Sequence, residues 1–239
     1  MTATTKSAAT DGTLTIGDLR IPGDVHTLDG FRRWASELAE NAPMVSFYRG
    51  EVHIEMNQDY FTHEPVAAAI CRKLADLTDE LGIGRFFMAP SWFTDDGAGI
   101  STEPDGFLVL WSSFDEGRVR VEQDRPRELQ GHPDMVLEVV SKTSVRKDAQ
   151  VLMEGYARAG VAEYWLADAR GTEPALELHV PGSDGGYSPR SADADGWIAS
   201  PIFGRSFRLH HFTDRAGLPA YRLEVREKPP RARRSRKRA

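Results

Sequence analysis

Cysteine is almost missing from this chain: Cys71 is the single one in 239 residues, so no intrachain disulfide can form. No apolar run reaches the roughly 18 residues of a membrane-spanning helix, and no charged-then-apolar leader is visible, so the expectation is a cytoplasmic protein with no membrane partner. Repeats, a glycine-rich phosphate loop and a central linker are also lacking. That sets aside repeat arrays and P-loop nucleotide chemistry, offers no motif for an organic cofactor, and predicts one domain over 13–226 between a disordered 1–12 and a basic tail, 227–239. The folded body lacks excess positive charge. The formal net charge is −6, although Lys228, Arg231, Arg233, Arg234, Arg236, Lys237 and Arg238 crowd the tail. Such a tail is either a phosphate-binding arm or a merely solvated one. The acidic body argues against a general DNA-coating protein but does not exclude a metal-dependent nuclease, whose centre needs acids.

What is present alternates between helical and strand periodicity. Phe31, Trp34, Ala35 and Leu38 recur at helical spacing, and Pro43 ends that helix. Met44–Met56 reads as a hairpin turning at Arg49-Gly50, with Glu51 and Glu55 on one face. A long helix follows over Phe61–Leu81, stopped by Gly82, with Cys71 on its apolar stripe as a core residue. Strands are expected over Gly84–Phe93 and Gly106–Ser113, with Asp105 at the start of the second. Phe114–Gln130 is charged and reads as solvated surface. After Asp168 the pattern becomes short hairpins that close an antiparallel extension near Val225.

The chemistry concentrates between Gly131 and Asp168. In PDMVLEVVS the strand alternation puts Asp134, Val136, Glu138 and Val140 on one face and Met135, Leu137 and Val139 on the other. A carboxylate on so apolar a strand is costly to bury unless it gains a cation, a metal or hydrogen bonds. Two readings stay open. Glu138 is ion-paired with Lys142, Arg146 or Lys147, or acids from separate strand ends hold Mg²⁺ while a lysine stabilises charge on a phosphate. Thr143 or Ser144 then caps a helix ending at Gly160, and VAEYWLAD returns as a strand parallel to the first. Tyr156, Tyr164 and Trp165 read as core.

PDMVLEVVS, Asp148, Tyr156 and AGVAEYWLAD together resemble the signature of the Uma2 family, restriction-endonuclease-like proteins of the PD-(D/E)XK superfamily. The likeness covers roughly Val45–Val225, including YRGEVHIEM with Glu51, His63, and the TEPD before a strand. It implies an α/β (α+β) fold, a restriction-endonuclease-like three-layer core with a mixed central β-sheet flanked by helices, plus C-terminal antiparallel hairpins. It further implies a divalent-metal-dependent endonuclease using Mg²⁺ or Mn²⁺, with DNA as partner and room for a homodimer. By the resemblance, Asp105 is the first acid of the pattern and Glu138 the second, Asp134 is the family's own acid at the strand head, and Ser141 and Asp148 are later polar positions. The pattern's lysine is displaced: Val140 and Leu152 occupy its two usual places, which leaves Lys142 and Lys147 as substitutes. Without a working lysine the same fold would serve as a catalytically impaired module that binds nucleic acid or protein.

Overall fold

A computed structural model describes residues 2–5, 14–16, 19–38, 42–55, 63–121, 123–125, 127–141, 147–183 and 185–227. Its centre is a six-stranded sheet in the order Tyr187–Pro189, Ala175–Pro181, Glu163–Asp168, Met135–Val139, Gly106–Leu110 and Gly84–Met88. All neighbours are antiparallel except Met135–Val139 and Glu163–Asp168, which run parallel. A parallel pair needs a crossover, and the helix between them supplies it. The sheet is therefore mixed, as the sequence pattern requires.

The expected alternation sorts Met135–Val139 between two cores. Met135, Leu137 and Val139 join a cluster with Val66, Ile70, Leu74 and Leu77 of the long helix His63–Leu81. Val136 and Val140 join the opposite cluster with Leu152, Tyr156 and Ala159. The central sheet is thus sandwiched between two helices, and its middle strand is buried throughout. The second helix begins as a π-helical stretch, Lys147–Leu152, continues as α-helix over Met153–Ala159, and ends at Gly160, whose φ of 93° suits a residue with no Cβ.

Around these layers, a seven-stranded sheet includes the hairpin Met44–Tyr48 and Glu51–Glu55, Ile100–Thr102, Trp92–Asp95 and Glu128–Gln130. The hairpin turns at Arg49 and Gly50, both with positive φ. Thr2–Thr5 pairs along Glu51–Glu55, where the sequence suggested no structure; a run of threonines near an open strand edge satisfies backbone groups by adding to it. The expected C-terminal hairpins only partly extend the central sheet, through Ala175–Pro181 and Tyr187–Pro189; Ile198–Ser200, Arg205–Thr213 and Pro219–Glu227 form a separate three-stranded antiparallel sheet that packs against the long helix through Phe207, Leu209 and Leu223.

Two expected strands end early. Gly84–Phe93 divides at Ala89-Pro90, since proline has no N–H for the ladder, and its halves belong to different sheets. Gly106–Ser113 stops at Leu110 and turns into a short helix, Trp111–Asp115. The excursion 114–130 is only partly solvated. Glu128 is buried and accepts from Arg32 Nε at 2.7 Å, Thr94 Oγ1 at 2.5 Å and Arg125 at 3.2 Å. No described helix is long and apolar enough to cross a membrane.

Candidate active site

Antiparallel pairing sets Leu137 opposite Gly106, so the next step of the same register sets Glu138 opposite Asp105. The two acids meet at one end of neighbouring central strands. Asp105 is 8% exposed and Glu138 3%. Both Asp105 oxygens have donors: Val139 N–H reaches Oδ2 at 2.6 Å, and His63 Nε2 lies 3.3 Å from Oδ1. The Asp105 carbonyl in turn accepts from Cys71 Sγ at 3.4 Å. Gly106 follows because a Cβ there would come within 2.8 Å of Phe86 and 3.0 Å of Cys71 Sγ. The chain is thus pinned on both sides of the carboxylate.

Glu138 Oε1 accepts from the Tyr156 hydroxyl at 2.5 Å, and Thr102 bonds the same phenol. Burial, then the Glu138 charge, hold the Tyr156 hydroxyl well above its ordinary pKa, and burial and Glu138 do the same for Tyr164. Both phenols therefore stay protonated as donors, Tyr164 to the Asp148 carbonyl at 3.0 Å. Ser141 Oγ donates to Glu55 Oε1 at 2.8 Å, with both residues buried. Burial lowers the His63 pKa, but the hydrogen bond and charge of Asp105, with Glu55 and Glu64 behind, outweigh it and leave the pKa raised. Its Nδ1 is buried without a hydrogen-bond partner among the described residues. Cys71 is no nucleophile, since burial and then Asp105 push its thiol up to about 12.

Of the acids singled out in the sequence, Asp105 and Glu138 stand across from each other in the strand register, and Asp134 lies elsewhere. Asp134 heads the same strand four residues away, about 13 Å at strand rise. There its Oδ2 accepts from Leu110 N–H at 2.8 Å and Ser113 Oγ at 2.6 Å, and Arg118 approaches Oδ1 at 3.5 Å. Asp134 thus holds the strand-to-helix turn at Leu110. Glu51 lies at the turn end of its hairpin, and Glu55 at the other end is the one that reaches Ser141. Ser141, Asp148 and Tyr156 are all buried, and of the three Tyr156 bonds Glu138 directly. Lys142 and the tail arginines, Arg231, Arg233, Arg234, Arg236 and Arg238 with Lys237, lie outside the described residues, as does the Lys147 side chain; the Lys147 backbone begins the helix.

Asp105 and His63 line a cleft of about 860 Å³. Its lining mixes apolar residues, among them Leu38, Pro43 and Met88, with Arg32 and Arg125, both bonded to Glu128, and with the acids Glu64, Glu103 and Asp124. The site roles of Glu55, His63 and Thr102 escaped the sequence reading. His63 was visible at the start of a helix, but nothing in the one-dimensional pattern joined it to Asp105, 42 positions on.

A mixed sheet flanked by helices, ending in two opposed carboxylates, has the architecture of a restriction-endonuclease-like nuclease. Residues 28–210 match the Uma2 family, described as "Putative restriction endonuclease", and the chain belongs to that family. Among solved structures it resembles "a putative nuclease belonging to DUF820 from Anabaena variabilis ATCC 29413", with a TM-score of 0.57 and 19% identity over 74% of this chain and 90% of that one. At that identity the likeness speaks for the fold. No curated protein matches.

Proposed function

We propose that the protein is a divalent-metal-dependent endonuclease that hydrolyses phosphodiester bonds in DNA, with Asp105 and Glu138 holding the cation. The observation that carries this is the register that sets two buried acids, Asp105 and Glu138, across from each other at the ends of adjacent strands, the first of them on the wall of a cleft lined by arginines and acids together. The donor set suits Mg²⁺ or Mn²⁺. Among the described residues no three His, Cys, Asp or Glu side chains converge as a ligand group, so a tetrahedral zinc site is a poor fit. A hard cation held by one or two carboxylates, with water completing its shell, matches what is there.

When bound, such a cation supplies Lewis-acid charge for the phosphate and eases deprotonation of the attacking water. The protein's residues supply position. Val139 N–H and His63 fix the Asp105 carboxylate, and Tyr156 fixes Glu138, so both acids are oriented by the fold itself. Hydrolysis forms one bond from water oxygen to phosphorus and breaks one from phosphorus to a sugar oxygen. Lys142 or Lys147 then steadies the negative charge that builds on the phosphate.

Purified protein incubated with supercoiled DNA and Mg²⁺ or Mn²⁺, beside Glu138→Ala, tests this directly. Nicking that the substitution abolishes is the expected result. No nicking with either metal, together with a DNA mobility shift lost on deleting Pro229–Ala239, favours the impaired binding module instead.

A further inference from the structure

We propose that the cleft beside Asp105 is covered by the chain's own basic tail, 228–239, which shields the acids there from a divalent cation until a polyanion draws the tail away; the shielding rests on reading Asp105 as a metal-holding acid. The tail lies outside the described residues. Charge is the first reason to seat it in the cleft. Seven of its twelve residues are Lys or Arg and none is acidic, so of the chain's net −6 the other 227 residues carry −13 (−6 minus +7). The cleft gathers part of that excess in a concave surface. Five acids line it, Glu64, Glu103 and Asp124 among them, against three arginines, and two of the three, Arg32 and Arg125, are bonded to the acid Glu128. A cleft so lined repels phosphate and draws cations in.

His63 supplies a second, independent reason. It is 4% exposed, lines the cleft, and has no hydrogen-bond partner at Nδ1 among the described residues. With the Nε2 hydrogen turned to Asp105 Oδ1 at 3.3 Å, the neutral ring leaves Nδ1 as an acceptor, and a guanidinium, which has only donors, offers what it lacks. Pro43 and Met88 of the same lining suit the methylene stems of arginine. Reach is the third. Glu227, the last described residue, ends a strand that packs on the long helix through Leu223, and that helix begins at His63. Its 19 residues span about 28 Å, whereas twelve extended residues reach about 40 Å. The tail is long enough. A tether of this length holds it near the cleft at an effective concentration in the roughly millimolar range, so a contact too weak to form between separate molecules fills the site within one chain. An Arg or Lys seated there takes the ground in front of Asp105 that a divalent cation needs. A nucleic acid, with its dense row of phosphates, gives the tail a better partner and opens the site.

Carbodiimide cross-linking of the full chain, dilute, without metal and at about 0.05 M salt, joins an amine to a carboxylate that it touches and so maps the seat of the tail. Lys237 should link to Glu64, Glu103 or Asp124 of the same chain, and the links should fade at about 0.5 M salt, where the charges are screened. Links to other acids only, or none, overturn the proposal. So do links found only in products of twice the 26.6 kDa chain mass, which would make a second copy the occupant. Calorimetric titration of Mn²⁺ then compares the parent with a full-length variant carrying Arg231→Ser, Arg233→Ser, Arg234→Ser, Arg236→Ser and Arg238→Ser. The variant should bind Mn²⁺ about threefold to tenfold more tightly at low salt and no more tightly at high salt. Equal binding by both proteins at low salt overturns the shielding, whatever the cross-links show. Links at the cleft with no Mn²⁺ bound by either protein keep the seat of the tail and remove the metal reading, and the shielding with it.

Discussion

Replacing Asp134 should destabilise the protein without touching its metal site. Its carboxylate accepts from the Leu110 N–H at 2.8 Å and from Ser113 Oγ at 2.6 Å, and Ser113 is fully buried. Asp134→Ala leaves both donors without that acceptor, at about 1–3 kcal/mol for each group left unsatisfied in the interior. Since Leu110 is only partly buried, we expect a total of about 2–4 kcal/mol, and a smaller loss for Asp134→Asn, since both bonds reach Oδ2 and an amide oxygen in its place can still accept both. In a domain of this size a loss of about 3 kcal/mol lowers Tm by roughly 6–12 °C. Calorimetric melts with and without Mg²⁺ provide the assay. The expected result is a lower Tm in both conditions and an Mg²⁺-induced rise equal to that of the parent protein. An Asp134→Asn protein as stable as its parent that no longer responds to Mg²⁺ would refute the assignment and return Asp134 to the metal site.

Other consequences are open to simple tests. Tyr156→Phe removes the hydroxyl that donates to Glu138 at 2.5 Å and leaves the ring packing intact, so urea denaturation should show a loss of about 1–3 kcal/mol; a change below about 0.5 kcal/mol would mean the phenol does not hold Glu138. Burial raises the Asp95 pKa, but bonds from His132 and Ala98 N–H overcome it and leave the value lowered. A depressed carboxylate stabilises the fold above its unfolded pKa of about 3.9 and loses that contribution as pH falls through its folded value. Asp95→Asn should therefore flatten the stability curve below about pH 4, and an unchanged acid limb would contradict the pairing. Cys71, with its thiol pushed up to about 12, should react with a thiol reagent only after unfolding.

The central strand was the most legible part of the sequence, because strict alternation of Asp134, Val136, Glu138 and Val140 against Met135, Leu137 and Val139 leaves few ways to bury it. Gly82, Arg49-Gly50 and Gly160 were readable for a related reason: a left-handed or positive-φ turn demands particular residues at a particular place. Burial partners were not legible. Asp134 and Glu138 look alike in sequence, both acids on one face of one strand. What separates them is that one strand end meets Leu110 N–H and Ser113 and the other meets Tyr156 and Asp105, and both sets of neighbours come from elsewhere in the chain. Glu128 shows the same effect. It reads as one charge in a solvated run, yet Arg32, 96 positions earlier, folds over it.

Calorimetric titration of Mn²⁺ or Mg²⁺ into the parent protein and into Asp105→Asn, Glu138→Gln and Asp134→Asn tests the central claim most directly. One site per chain in the parent, lost in the first two variants and kept in the third, is the predicted outcome. Binding that survives in Asp105→Asn and Glu138→Gln, or that disappears only with Asp134→Asn, would contradict it.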